Sequence, residues 1–429
     1  MQSIPKENPK GGIFDGSVCG VPPNGRNVHT HNGKNSAIGS PLGIITKLRA
    51  NRSQSDFDKV AYRASKILLR DLACKWLTQK EVRTTKKSPE GYATFVHRVN
   101  YCSKRRIDKN KNVFVHYNES RQQAHFGNLV HCGSIWTCAD CATKITEVRK
   151  VETKHGISNW RAKGGHVYLL TLTNRHHRGD NLKELLTGQQ KALANFWRQR
   201  AVREMIEKLG YVGRVVATEV TWSWDNGWHP HFHILMFFEQ ELFNGGQGLR
   251  TFLANEWINA CRKAGLKLPT LEHGVDLQDG SYADQYVTKW GLESEVTKGH
   301  LKKGREDSLT PFDLLRQSIE LPKYGFLFRE FADAFKGKKQ LFWSKGLKEL
   351  LGIESKTDEE ILEETDKDSI VIDELAFEVF QLISLHSMQA DYLEFVELDY
   401  LDKGNRAKGL IEKLLLFEIE RITQNANTI

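Results

Sequence analysis

Trp228-His229-Pro230-His231-Phe232-His233-Ile234-Leu235-Met236 sets three imidazoles at alternate positions in a run that otherwise has the composition of a buried β-strand. Successive strand residues point to opposite faces, so His229, His231 and His233 share one side while Phe232 and Ile234 turn into a core. Residues 211–224 form a second strand, and Asp225-Asn226-Gly227 has the turn chemistry that joins the two as a hairpin. Working outward, His166-Val167-Tyr168-Leu169-Leu170-Thr171-Leu172-Thr173 is a β-branched apolar strand, and residues 182–210 and 242–264 are helical. Strand, helix, hairpin, helix predicts an α+β fold: an antiparallel sheet with flanking helices.

The rest of the chain divides by composition. Residues 1–55 are rich in Gly, Asn, Ser and Pro and are expected to be a disordered arm. Residues 56–160 make a basic N-terminal region. It opens with an amphipathic helix (Val60, Ala64, Ile67, Leu68, Leu72), continues through a β-rich stretch near 92–130, and ends in a charged helix over 142–160. Residues 161–305 carry the sheet and its helices, and 306–351 form a basic helical extension with Lys336, Lys338, Lys339, Phe342 and Trp343. An acidic helical tail is expected over 352–429, on the periodicity of Ile372, Leu375, Val379, Leu382 and Ile383.

Charge follows the same division. The chain holds 62 Lys+Arg against 53 Asp+Glu, a formal +9. From Gly352 onward there are 7 basic and 19 acidic residues, so the preceding body carries 55 against 34. A basic body of this kind fits a polyanionic partner, whereas the tail is a poor surface for one. There is no apolar run of 18 residues and no charged-then-apolar leader, so neither membrane insertion nor secretion is indicated. Seven cysteines do not read as a disulfide framework, and a reducing cytoplasm is the expected location.

Two segments carry chemistry. With a three-residue hairpin loop and Gly227 in the left-handed region, Glu219 falls opposite His233 and Thr221 opposite His231. Glu219, His231 and His233 then make a two-imidazole, one-carboxylate site with open positions, suited to Mn²⁺ or Mg²⁺ as a Lewis acid. A two-residue Asn-Gly loop would turn Glu219 to the other face; the three-residue loop is favoured. The second segment is Ser281-Tyr282-Ala283-Asp284-Gln285-Tyr286-Val287-Thr288-Lys289-Trp290. As a helix it puts Tyr282, Tyr286 and Lys289 on one face, with the phenols about 6 Å apart along the axis. Aromatic residues at i and i+4 often mark a core-facing helix. Beside a metal and a lysine, however, a phenol of pKa near 10 becomes a usable nucleophile towards phosphorus.

Three segments in this order, Leu170-Thr171-Leu172-Thr173, His229-Pro230-His231-Phe232-His233 and Tyr286-Val287-Thr288-Lys289, resemble the motifs of rolling-circle replication initiators of the HUH endonuclease superfamily. The resemblance spans roughly residues 95–350 and is closest to plasmid Rep proteins. It implies that residues 161–305 are an HUH, ferredoxin-like nickase core in which His231 and His233 hold the metal. By the same resemblance Tyr286 attacks origin DNA, leaving a 5′-phosphotyrosine link and a 3′-hydroxyl primer, and Lys289 assists at the scissile phosphate. Tyr282, four residues before Tyr286, resembles the second nucleophile of two-tyrosine initiators, with Asp284 the only nearby acid. Origin DNA, single-stranded or cruciform at the nick, is the implied partner, with host helicase and polymerase following and self-association open. His229 takes a supporting role. His176 and His177 stand close enough in sequence to approach the metal or touch DNA.

Cys132-Gly133-Ser134-Ile135-Trp136-Thr137-Cys138-Ala139-Asp140-Cys141-Ala142 resembles a run that precedes the first motif in related Rep proteins. With Cys102 it offers four thiolates for a structural Zn²⁺ in the N-terminal segment. Cys19, Cys74 and Cys261 are left without a cysteine partner. Other readings remain for the same residues: an HUH transposase or relaxase, a histidine-triad nucleotide hydrolase, or a zinc-dependent DNA-binding regulator without catalysis.

Overall fold

The structure is a computed structural model that describes residues 54–78, 81–85, 88–289, 308–367 and 369–426. The arm expected over the first 55 residues, with Cys19, lies almost wholly outside them, as does the end of the segment expected to close at 305.

In chain order the elements begin with helix α1 (Gln54–Trp76), the hairpin β1 (Glu81–Thr85) and β2 (Ser88–Phe95), strands β3 (Val113–Asn118) and β4 (Gln123–Gly127), and helix α2 (Ala139–Ala162). Strand β5 (His166–Leu172), helices α3 (Leu182–Arg198) and α4 (Arg200–Lys208), strands β6 (Tyr211–Ser223) and β7 (Gly227–Phe238), and helix α5 (Gln247–Ala264) follow. Then come β8 (Val275–Gln278), α6 (Gly280–Lys289), α7 (Pro311–Gln317), α8 (Pro322–Phe335), β9 (Leu341–Trp343) and α9 (Leu347–Leu350). The last elements are α10 (Asp358–Lys367), β10 (Ile370–Leu375), α11 (Phe377–Leu385), α12 (Gln389–Asp402) and α13 (Arg406–Ala426).

Antiparallel sheets flanked by helices make up the fold, as the sequence predicts. The largest has the order β8-β5-β7-β6-β9 with every pairing antiparallel. Alternation along β7 divides its core in two. Phe232, Ile234, Met236 and Phe238 face Phe196 of α3 and Trp257 of α5, while Leu235 and Phe237 face Ile157 and Trp160 of α2 and Ala283 and Val287 of α6. Burying each large apolar side chain is worth about 1.5–3 kcal/mol, so a register slip that exchanged the two faces is strongly disfavoured. The three histidines therefore stay on the α2/α6 side. Pro230 is accommodated because the β5 ladder has already ended at the pairing of Leu172 with Phe232, and its carbonyl accepts from buried Gln189 at 2.7 Å.

Two local expectations change. The single helix over 182–210 breaks at Gln199, whose extended backbone (ψ 129°) separates α3 from α4. Residues 370–375 are a strand, not a turn of helix: β10 pairs with β3, forming a sheet of order β10-β3-β4. The β-branched run Ile370-Val371-Ile372 fits that strand, and α11, α12 and α13 cover it with Phe380, Tyr392, Phe395 and Leu410. The segment beyond 352 thus packs on strands from before residue 130.

Candidate active site

The β6–β7 hairpin sets the geometry. Its loop is three residues long, Trp224-Asp225-Asn226, and Gly227 opens β7 with φ +71° opposite Ser223. Only glycine fits there, because a Cβ would also stand 2.8 Å from the Arg178 backbone. Glu219 consequently pairs with His231, Thr221 with His229 and Ala217 with His233. The expected register, with Glu219 opposite His233, is off by two residues because it counted Gly227 in the loop. A slip of two preserves the face, so Glu219 still joins the histidines.

Glu219, His231 and His233 offer donor atoms that all lie within 4.8 Å of one another and could hold a metal ion. Glu219 Oε2 is 3.5 Å from His231 Nε2 and 3.6 Å from His233 Nε2. Donors about 2.1 Å from one shared ion stand roughly 3–3.5 Å apart, so the spacing fits. The opposite ring nitrogens are held from behind: His233 Nδ1 lies 3.0 Å from Thr171 Oγ1, and His231 Nδ1 lies 3.2 Å from the His229 carbonyl. Both bonds aim the Nε2 lone pairs inward. Burial raises the Glu219 carboxyl, but the hydrogen bond with His231 and the proximity of His233 and Tyr286 outweigh it and hold it at about 2. Burial lowers His233 to about 4, against the pull of Glu219, which leaves its imidazole neutral and free to ligate near neutral pH.

Tyr286 meets this group. Its hydroxyl donates to Glu219 Oε1 at 2.5 Å, and its ring lies 4.4 Å from that of His233. Its helix, α6, is too short to be stable alone. It docks through Ala283 and Val287, and Arg161 at the end of α2 clamps it by donating to Asp284 Oδ2 at 2.6 Å and to the Gly280 carbonyl at 2.8 Å. Asp284 is therefore an anchor of the helix. Tyr282, one turn earlier, is 48% exposed, and no described hydrogen bond or ring contact joins it to the cluster. Lys289 ends α6; its side chain lies outside the described residues. His229 stays out of the donor group and stacks on His176 at 4.7 Å, while the His177 amide donates to Asp180 Oδ2.

Near the start of α2, Cys102, Cys132, Cys138 and Cys141 form a second group, all four buried. Their sulfurs stand 3.6 Å (102–141), 3.7 Å (132–141) and 3.5 Å (102–138) apart. Four sulfurs at 2.3 Å from a tetrahedral ion are separated by about 3.8 Å, so this cluster too could hold a metal. Hydrogen bonds from the other three thiols hold Cys102 well below its ordinary value, while contact with Cys102 pushes Cys132 and Cys138 up. Cations surround the cluster. Burial works against the charge of Arg70, yet Asp71, Asp140 and the thiols keep it charged. Hydrogen bonds to Cys102 and Cys141 lift His131 to about 9 despite its burial. Cys74 is buried in the same core cluster as the four cysteines but outside the donor group, its thiol donating to the Val99 carbonyl, and Cys261 is buried against the α3/α5 face of the large sheet.

A family model described as "Replication protein" (Rep_1) matches residues 131–392, more than half of the chain. The chain belongs to the Rep_1 replication-protein family. The matched span contains Cys132, Cys138, Cys141, the whole hairpin and α6, and it runs past β10 into α12, beyond the 350 at which the motif resemblance ends. "Protein rep" of Streptomyces lividans is 26% identical over 295 residues, 53% of this chain and 64% of that protein. A "Neomycin resistance protein" of Streptomyces cyanogenus is 31% identical over 132 residues, 25% of this chain and 30% of that protein. The chain thus spans less than two thirds of either relative. No solved structure matches it. Among the described residues no helix is long and apolar enough to cross a membrane.

Proposed function

We propose that this chain initiates plasmid rolling-circle replication as a metal-dependent endonuclease that nicks and rejoins origin DNA through a covalent 5′-phosphotyrosine, leaving a 3′-hydroxyl primer. The hydroxyl of Tyr286 donating to Glu219, itself grouped with His231 and His233, carries this reading. Family membership supports it.

His231, His233 and Glu219 would hold Mn²⁺ or Mg²⁺, and the four cysteines Zn²⁺ as a structural centre. A divalent ion held by that first set would supply Lewis-acid chemistry, polarising the scissile phosphate. Tyr286 Oη attacks the phosphorus, forming a tyrosyl ester to the 5′ side as the bond to the 3′ oxygen breaks. The hydrogen bond to Glu219 orients the hydroxyl, the phenolic proton passes to solvent, and the departing 3′ oxygen takes a proton from solvent. Because one phosphoester replaces another, the freed 3′-hydroxyl can reverse the step. Tyr282, exposed one turn away, would serve as the nucleophile of a second round.

The test is incubation with single-stranded origin DNA and Mn²⁺ or Mg²⁺, followed by a denaturing gel. A protein–DNA adduct is expected, lost in Tyr286→Phe. An adduct that survives Tyr286→Phe and disappears only with Tyr282→Phe moves the nucleophile; no adduct with either metal overturns the nicking reading.

A further inference from the structure

Beside the large sheet lies a groove of about 970 Å³ between the segment linking α8 to β9, the loop before α2 and the start of α10. Eight lysines and arginines line it against three carboxylates, together with five Trp and Phe rings. Its most basic wall is Lys336-Gly337-Lys338-Lys339, and Phe342 beside that wall is 53% exposed. The wall is built in place. Trp136, from the cysteine loop, donates its Nε1 to the Lys338 carbonyl at 2.8 Å and packs on Phe335 at 4.6 Å. The Lys338 ammonium is held at the edge of the wall, donating to Gln190 Oε1 of α3 at 3.0 Å.

The groove's position gives it meaning. Leu341 on its rim pairs with Ala217, and Ala217 pairs with His233. Residues directly opposite share a face and adjacent strands lie about 4.8 Å apart, so Leu341 stands roughly 10 Å across the sheet from His233 on the same face, while Phe342, opposite Val216, turns to the other face at the sheet's edge. We propose that this groove binds the single-stranded DNA flanking the nick site, with Lys336, Lys338 and Lys339 on its phosphates and Phe342 stacking on a base. Lysine spacing along a backbone and exposed aromatic rings are the combination that binds single strands without reading sequence. The inference rests on the reading of the cluster as a DNA-nicking site, but its measurement needs no cleavage.

Binding is measured by fluorescence anisotropy with a labelled oligothymidylate of about 20 nucleotides. The protein carries Tyr286→Phe and no divalent ion is added, so nicking cannot contribute. The combined Lys336→Ala, Lys338→Ala and Lys339→Ala variant is expected to bind at least tenfold more weakly, with the slope of log affinity against log salt reduced by about 2. Phe342→Ala should weaken binding about tenfold with the slope kept. The triple Lys→Arg variant should keep both. Should the triple alanine protein fail to fold, Lys339→Gln alone is expected to lower the slope by about 0.7. An unchanged slope, no binding by the parent, or a loss confined to duplex DNA of the same length overturns the proposal. Failure of the adduct assay with this binding intact would overturn only the nicking chemistry.

Discussion

Replacing Arg161 with alanine isolates the positioning of the proposed nucleophile from its chemistry. Arg161 is far from the metal donors in sequence, and among the described residues its hydrogen bonds to α6 go to Asp284 and the Gly280 carbonyl. The ion pair is half-exposed, with side chains 38% and 51% accessible, so it is worth about 0.2–1 kcal/mol. The carbonyl hydrogen bond adds about 0.5–1.5 kcal/mol. Together they hold α6 down by about 1–2 kcal/mol, or roughly 5–30-fold in the balance between docked and undocked helix. In Arg161→Ala the single-turnover rate of adduct formation at saturating DNA should fall by up to that factor, with DNA affinity little changed. Arg161→Lys, which can keep the pair with Asp284 but not the forked geometry, should recover part of the loss. Hydrogen exchange over residues 280–289 reports the helix directly and should quicken in parallel. If exchange quickens while the adduct rate stays within twofold of the parent, the docking of α6 does not govern attack and the reasoning fails.

Other outcomes follow from the two metal-donor groups. Thr171→Val removes the partner of His233 Nδ1 and should weaken Mn²⁺ binding about 10–100-fold by calorimetry, without loss of fold. The cysteine cluster should yield one zinc per chain by elemental analysis; Cys138→Ser should lose it and lower the melting temperature, and a strong chelator should do the same to the parent. Burial, with His231 close by, depresses His229 to about 4. Its unfolded value is near 6.5, so the unfolded chain binds the extra proton. Stability of the metal-free protein should therefore fall as pH drops from about 6.5 to about 4, and His229→Asn should flatten that part of a melting-temperature profile.

What the sequence disclosed follows from periodicity and spacing. The face shared by Glu219, His231 and His233 was legible because strand parity survives an error of two in register, and the error came from one glycine counted on the wrong side of the turn. The cysteine group was legible because Cys138 and Cys141 stand at ligand spacing; Cys102, 30 residues before Cys132, lies outside that spacing and entered only as the upstream cysteine that makes four. The Arg161–Asp284 clamp, the stacking of His176 on His229 and the Trp136–Lys338 brace were not legible. Each joins residues from separate elements, with no local pattern to announce it. Strand β10 was misread because Ile372, Leu375, Val379 and Leu382 also satisfy a helical period, and only its pairing with β3 decides the matter.

That pairing has a consequence for the order in which the molecule can form. Asn118 and Ser369, which meet where β3 and β10 join, are 251 residues apart. At a synthesis rate of about 5–20 residues per second, β3 waits roughly 12–50 s for its partner to be made. The five-stranded sheet, whose strands run from His166 to Trp343, is complete before then. During translation the hairpin of β3 and β4 therefore presents an open edge, the kind of edge that recruits a wrong strand. Closing it depends on β10, so a frameshift or early stop between Trp343 and Ile370 would leave every candidate metal donor in place and still expose a sticky edge.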